Sequence, residues 1–151
     1  MSGSKSRSKG QRGEREVAKL LEAATGVRWI RTDGGRRQAH GDVAPKGPID
    51  SWWNHAFVEV KSHGEVTVAH LLQPTDKVLG WWRKAFEEAE AVEKAPVLFV
   101  RIARWGLVVI VEDAELAGMD PGNPVSWSAQ ADWDGHAVWA LPAVEALEAR
   151  R

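Results

Sequence analysis

The chain has no cysteine, so neither a disulfide nor a thiolate metal site can form, and any bound metal must be held by Asp, Glu or His. That absence agrees with a reducing interior. It also lacks a long hydrophobic run: the longest apolar stretch, residues 97–111, is broken by Arg101 and Arg104 and is too short to span a bilayer. The amino terminus is basic without an apolar core, which argues against a signal peptide. No internal repeat is visible. A cytoplasmic protein with no membrane partner is the expectation.

What the sequence does contain, 151 residues of which 44% are hydrophobic and 27% charged, predicts one globular domain with a sizeable core. The net charge of −1 conceals a division along the chain. Residues 1–47 carry eleven Lys and Arg against five Asp and Glu, whereas residues 48–151 carry nine against sixteen. Only the first third is suited to phosphate. Lys5, Arg7, Lys9 and Arg12, interleaved with Ser and Gly, read as a flexible cationic arm over residues 1–11 that neutralises DNA backbone, or as a solubilising tail. Composition leaves both readings open.

From Arg12 the pattern becomes helical, with Val17, Leu20, Leu21 and Ala24 on one stripe and Gly26 placed to stop the helix. Glu14 and Glu16 flank that stripe on opposite sides, and periodicity does not choose between them. Either is also a favourable acid in a helix's first turn. Residues 27–32 read as a strand, and residues 33–38 as a glycine loop whose Arg36 and Arg37 can grip a phosphate or stay solvated. A polar insert over residues 46–55 reads as a hairpin tip or long loop; its Trp52-Trp53 pair serves the core or touches bases. Residues 65–72 suggest a short strand and connector. Pro74-Thr75-Asp76 opens a helix to about Glu93, with Val78, Trp81, Trp82, Phe86 and Ala89 as its apolar stripe. Residues 96–103 and 106–112 form two β-rich runs around an Arg104-Trp105 turn, and a strand near 137–141 precedes a short final helix. This order describes an α/β sandwich with a mixed sheet.

Within that frame the most informative segment is Phe57-Val58-Glu59-Val60-Lys61. On an extended strand alternate side chains share a face, so Glu59 sits beside Lys61. Glu-x-Lys alone is also what a half-buried strand shows when its polar side meets water. Asp42, delivered by His40-Gly41 at the start of an apolar strand, changes the balance, although an Asp after a Gly is by itself turn chemistry. Two carboxylates can hold a hard divalent cation while a lysine orients a water, as phosphodiester hydrolysis requires. His40, His63 and His70 lack the spacing of a zinc site.

These motifs resemble those of the Holliday-junction resolvases of archaea and phages, within the PD-(D/E)xK nuclease superfamily, over roughly residues 8–112. Ser8 to Glu16 is similar to the family's Lys-Gly-x-x-x-Glu-Arg-Glu helix start, which selects Glu14 as the site acid. Arg31-Thr32-Asp33-Gly34-Gly35 resembles its Arg-Ser-x-Gly-Ser loop, Asp42 its metal aspartate, Glu59-Val60-Lys61 its Glu-Val-Lys, and residues 105–112 its late Trp-containing strand. The resemblance implies a restriction-endonuclease-like fold in αβββαββ order, with a nuclease core over 12–112 and a C-terminal extension over 113–151 packed on the same domain. It implies a homodimer that nicks four-way DNA junctions, in a bacterial, archaeal or phage-infected cell. Asp42, Glu59, the Val60 carbonyl and Glu14 would hold Mg²⁺, with Mn²⁺ as a substitute, and Lys61 would position the attacking hydroxide. Arg15, Arg31, Thr32, Arg36, Arg37 and the basic arm would hold the DNA backbone. Gln73 stands near a helical glutamine of related nucleases, with a surface or capping role as its ordinary alternative. Gly35 replaces the family's second loop serine, the insert before Glu59 is long, and the tail after Glu112 has no counterpart. Another nuclease of the superfamily acting on duplex or flapped DNA, and a non-catalytic DNA-binding module, are the competing expectations.

Overall fold

The computed structural model describes residues 2–32, 40–62, 65–102, 104–112 and 126–148, with backbone alone over 2–8. The apolar stripe of the first helix, α1 (Ser2–Thr25), buries Val17 and Leu21 completely. The helix stops at Gly26, whose φ of +76° suits glycine and whose N–H bonds the Glu22 carbonyl at 2.9 Å. Its start lies at Ser2 instead of Arg12, so residues 2–11, expected as a flexible arm, continue the helix. Ser, Lys, Arg and Gly there carry no apolar period that would have revealed it.

Two short strands follow, β1 (Trp29–Arg31) and β2 (Val43–Pro45), paired antiparallel as a separate two-stranded ribbon. The insert closes with a 3-10 turn at Trp52–His55 and leads into β3 (Ala56–Ser62). Trp53 is 1% exposed and stacks against Trp29, Trp52 and Phe99, which resolves the tryptophan pair as core packing.

The strand expected over 65–72 is instead a short helix, α2 (Val68–Leu72). Its β-branched run suggested a strand, but Thr67 caps the helix: its N–H donates to His70 Nδ1 at 3.2 Å, and the His70 N–H returns to the Thr67 carbonyl at 3.1 Å. Helix α3 (Asp76–Ala91) opens where the sequence predicts, with the Thr75 side chain accepting from the Val78 N–H. Strands β4 (Ala95–Ile102) and β5 (Gly106–Val111) form the predicted hairpin. The chain then adds β6 (Ala129–Trp133), β7 (His136–Pro142) and α4 (Ala143–Glu148).

The main sheet has the order β3-β4-β5-β7-β6, parallel between β3 and β4 and antiparallel elsewhere. A parallel pair needs a crossover, and α2 and α3 supply it. One face of the sheet packs Val58, Val97, Phe99, Val109 and Leu141 against α1 and α4. The other packs Leu98, Val100, Ile102, Val108 and Ile110 against α2 and α3. This is a mixed sheet flanked by helices, the restriction-endonuclease-like sandwich. No helix among the described residues is long and apolar enough to cross a membrane.

Candidate active site

Strand β3 is at one edge of the sheet and carries the Glu-x-Lys pair. In the ladder Glu59 lies opposite Leu98 and Lys61 opposite Val100. Both partners belong to the α2/α3 layer, so pleating puts Glu59 and Lys61 on that face and Val58 and Val60 on the other. Glu59 is 2% exposed, and Lys61 Nζ stands 3.8 Å from its Oε1.

The free edge of β3 is met by Gly41 and Asp42. Gly41 forms a parallel bridge with Val58, and the Asp42 N–H donates to the Val58 carbonyl at 2.7 Å. A Cβ at Gly41 would collide with that same Val58 carbonyl, and its φ of +90° is a glycine conformation. The ladder then breaks. A continuing parallel strand would offer the Asp42 carbonyl to Val60; here that carbonyl accepts from Thr32 N–H at 2.9 Å, and Asp42 Oδ2 accepts the Val60 N–H at 2.8 Å. The carboxylate is thereby held against the peptide that joins Glu59 to Val60. Thr32 also donates its hydroxyl to the Gly41 carbonyl.

Helix α1 packs on the opposite face of β3, the one that carries Val58 and Val60. Gly13 lies against Ser62, where a side chain would collide with the Ser62 hydroxyl. The next residue, Glu14, accepts from Arg31 Nε at 2.7 Å, and Arg31 pairs with Val43, next to Asp42. Glu16 is directed elsewhere, to an ion pair with Arg101. The two glutamates that helical periodicity left equivalent are thus separated by their partners. No sequence signal reveals the Arg31 pairing: the acid and base are 17 residues apart, and nothing local links them.

Asp42 and Glu59 are the buried charged residues among those described. Burying two carboxylates costs several kcal/mol each unless cations offset them, and Lys61 offers one positive charge. Two oxygen donors of this kind, flanked by strand carbonyls, fit a hard divalent cation. Among the described residues no three His, Asp or Glu gather as a ready-made metal shell, and Glu14 is engaged with Arg31.

The remaining predicted residues divide clearly. Lys9, Arg12 and Arg15 are exposed on α1. The side chains of Lys5 and Arg7, and all of the loop with Arg36 and Arg37, lie outside the described residues, as does His63. Gln73 is exposed and caps α2, its N–H bonding the Ala69 carbonyl. His70 serves the other cap of α2. His40 precedes the site, and its pKa is lowered by burial first and by the Lys94 ammonium second.

A sequence model of the family described as "Phage putative PDDEXK endonuclease" matches residues 5–138. That spans most of the chain, which belongs to this family and with it to the PD-(D/E)xK nuclease superfamily. No curated protein and no solved structure matches the chain.

Proposed function

We propose, from membership of this family, that the chain is a metal-dependent DNA endonuclease selective for four-way junctions, acting as a homodimer in the cytoplasm of a bacterial, archaeal or phage-infected cell. The observation that carries the catalytic reading is the Asp42 carboxylate held 2.8 Å from the Val60 N–H, beside buried Glu59 and the Lys61 ammonium. The order of the Glu14, Arg31-Thr32, Asp42 and Glu59-Val60-Lys61 motifs supports the junction assignment.

Asp42, Glu59 and the Val60 carbonyl would hold Mg²⁺ or Mn²⁺, with Glu14 joining directly or through water. When bound, the ion supplies a Lewis acid for the scissile phosphate and lowers the pKa of a water. Lys61 orients the attacking oxygen and offsets charge that develops on the phosphate. Arg31 holds Glu14 in place. Lys9, Arg12 and Arg15 offer exposed cations to the DNA backbone, together with Lys5, Arg7, Arg36 and Arg37. Contacts of that kind read shape and charge more than sequence.

The family description names an endonuclease, and a nuclease of duplex or flapped DNA is the second reading that fits it. The deciding experiment compares Mg²⁺-dependent cleavage of a synthetic four-way junction with that of a linear duplex built from the same arms. Faster, paired nicking of the junction is expected. Equal rates would remove the junction assignment, and no cleavage of any DNA would remove the catalytic one.

A further inference from the structure

The β4–β5 hairpin carries a tryptophan that the catalytic reading does not use. Ile102 pairs with Gly106, and Arg104 turns the chain with φ +71°. Trp105, at the tip, is 57% exposed, more than any other large hydrophobic side chain among the described residues. Its ring is braced from inside: Trp127 meets it edge-on at 6.0 Å and 86°, and Trp127 itself packs on the layer containing Leu98 and Val100. Arg104 beside it is exposed. An aromatic ring held open to water next to a guanidinium is suited to a flat, anionic ligand.

The register fixes where this ring stands. Lys61 is level with Val100 and Ser62 with Arg101, so β3 ends where β4 runs on into the hairpin. Trp127 belongs to the face that carries Glu59 and Lys61. The tip therefore overhangs the same end and the same face of the sheet as the candidate site. At about 3.3 Å per strand residue it lies roughly 10 Å beyond Lys61, the length of about three stacked nucleotides.

We propose that Trp105 is a stacking platform for an unpaired DNA base next to the cleavage site, with Arg104 on the phosphate of the same nucleotide segment. This rests on the nuclease reading and adds to it a preference for strands that are unpaired beside the cut, as at a branch point. A base offers its π-face only when its neighbour is gone, whereas a paired stack hides it. Intact duplex would gain little from the ring.

The test is binding of the full chain, in Ca²⁺ to hold cleavage, to forked and to fully paired oligonucleotides carrying 2-aminopurine at successive positions. The unmodified protein is expected to quench one position near the fork. Trp105→Ala should lose that quenching and weaken forked-DNA binding roughly 5- to 100-fold. Duplex binding should change less than about twofold, and Trp105→Phe should restore most of the difference. If Trp105→Ala binds forked DNA like the unmodified chain, which still cuts DNA, the stacking site is overturned and the nuclease reading stands. Equal weakening on fork and duplex overturns the unpaired-base assignment, and loss of self-association with unchanged DNA affinity makes the ring a protein contact. A chain that neither binds nor cuts DNA overturns both readings together.

Discussion

Asp42 takes the place of a backbone carbonyl in the Val60 ladder position: its Oδ2 accepts the Val60 N–H at 2.8 Å while its own carbonyl serves Thr32. One residue thus ends a strand pairing and supplies a carboxylate beside Glu59. Asp42→Asn keeps an oxygen able to accept from Val60 but removes the negative charge. Cleavage in Mg²⁺ should fall on the order of 100-fold or more, with the melting temperature held or raised because a buried charge is gone. Cleavage at the unmodified rate would end the role assigned to this carboxylate.

Gly41 delivers that residue at φ +90° against the Val58 carbonyl. Gly41→Ala combines a left-handed backbone penalty with a backbone collision, a cost on the order of 2–4 kcal/mol. At about 2–4 °C per kcal/mol for a chain of this size, thermal unfolding should come near 10 °C earlier. A melting curve superimposable on that of the unmodified chain would show that the bridge to Val58 is not needed.

Trp133 lies in the segment expected as a C-terminal extension packed on the same domain; it is fully buried, stacks edge-on with Trp82 at 5.9 Å, and donates to the Leu71 carbonyl at 2.8 Å. We propose that residues 126–148 fold with the nuclease core as one cooperative unit. Trp133→Ala should cost about 3–5 kcal/mol, and Trp133→Phe about 1–3 kcal/mol through the stranded Leu71 carbonyl. Differential scanning calorimetry should record a single shifted transition. Two transitions, of which only one moves, would show independent units.

His40 is partly buried, with its Nδ1 unpartnered among the described residues, and burial followed by the Lys94 ammonium lowers its pKa below 6.5. The unfolded chain therefore takes up this proton first as the pH falls. The contribution to stability is complete above about pH 6.5 and is lost as pH drops from there through the folded value. Melting temperature should decline on going from about pH 7.5 to about pH 5, and His40→Gln should flatten that decline. Parallel profiles for the two proteins would mean that other groups carry the pH dependence.

The sequence made some of this legible and hid the rest for physical reasons. Helix α3 and the β4–β5 hairpin stand out because Thr75-Asp76 marks a start, the Val78, Trp82 and Ala89 stripe is regular, and the apolar runs around Arg104 are long. Strand β6 has none of those signals: Ala129-Gln130-Ala131-Asp132 is poor in β-branched residues, and only Trp133 at its end is fully buried. Helix α2 was concealed by a β-branched run that its cap overrides. Within the site, Glu59 beside Lys61 was legible because the two alternate along one strand, whereas the Asp42 contact to the Val60 amide, 18 residues along the chain, is set by packing. Which glutamate of α1 turns toward Arg31 was not legible either, since it depends on how the helix rotates on the sheet. The parting of β1 and β2 into their own ribbon was equally invisible, because strand order is set by packing that no local pattern encodes.

Exposed sheet margins invite foreign strands to add on. Along Val58 to Val60 that margin is already sealed, by a glycine too close to admit an intruder and by a carboxylate sitting on the next amide. The same acid that would grip a cation thus keeps this margin from templating fibre-like growth.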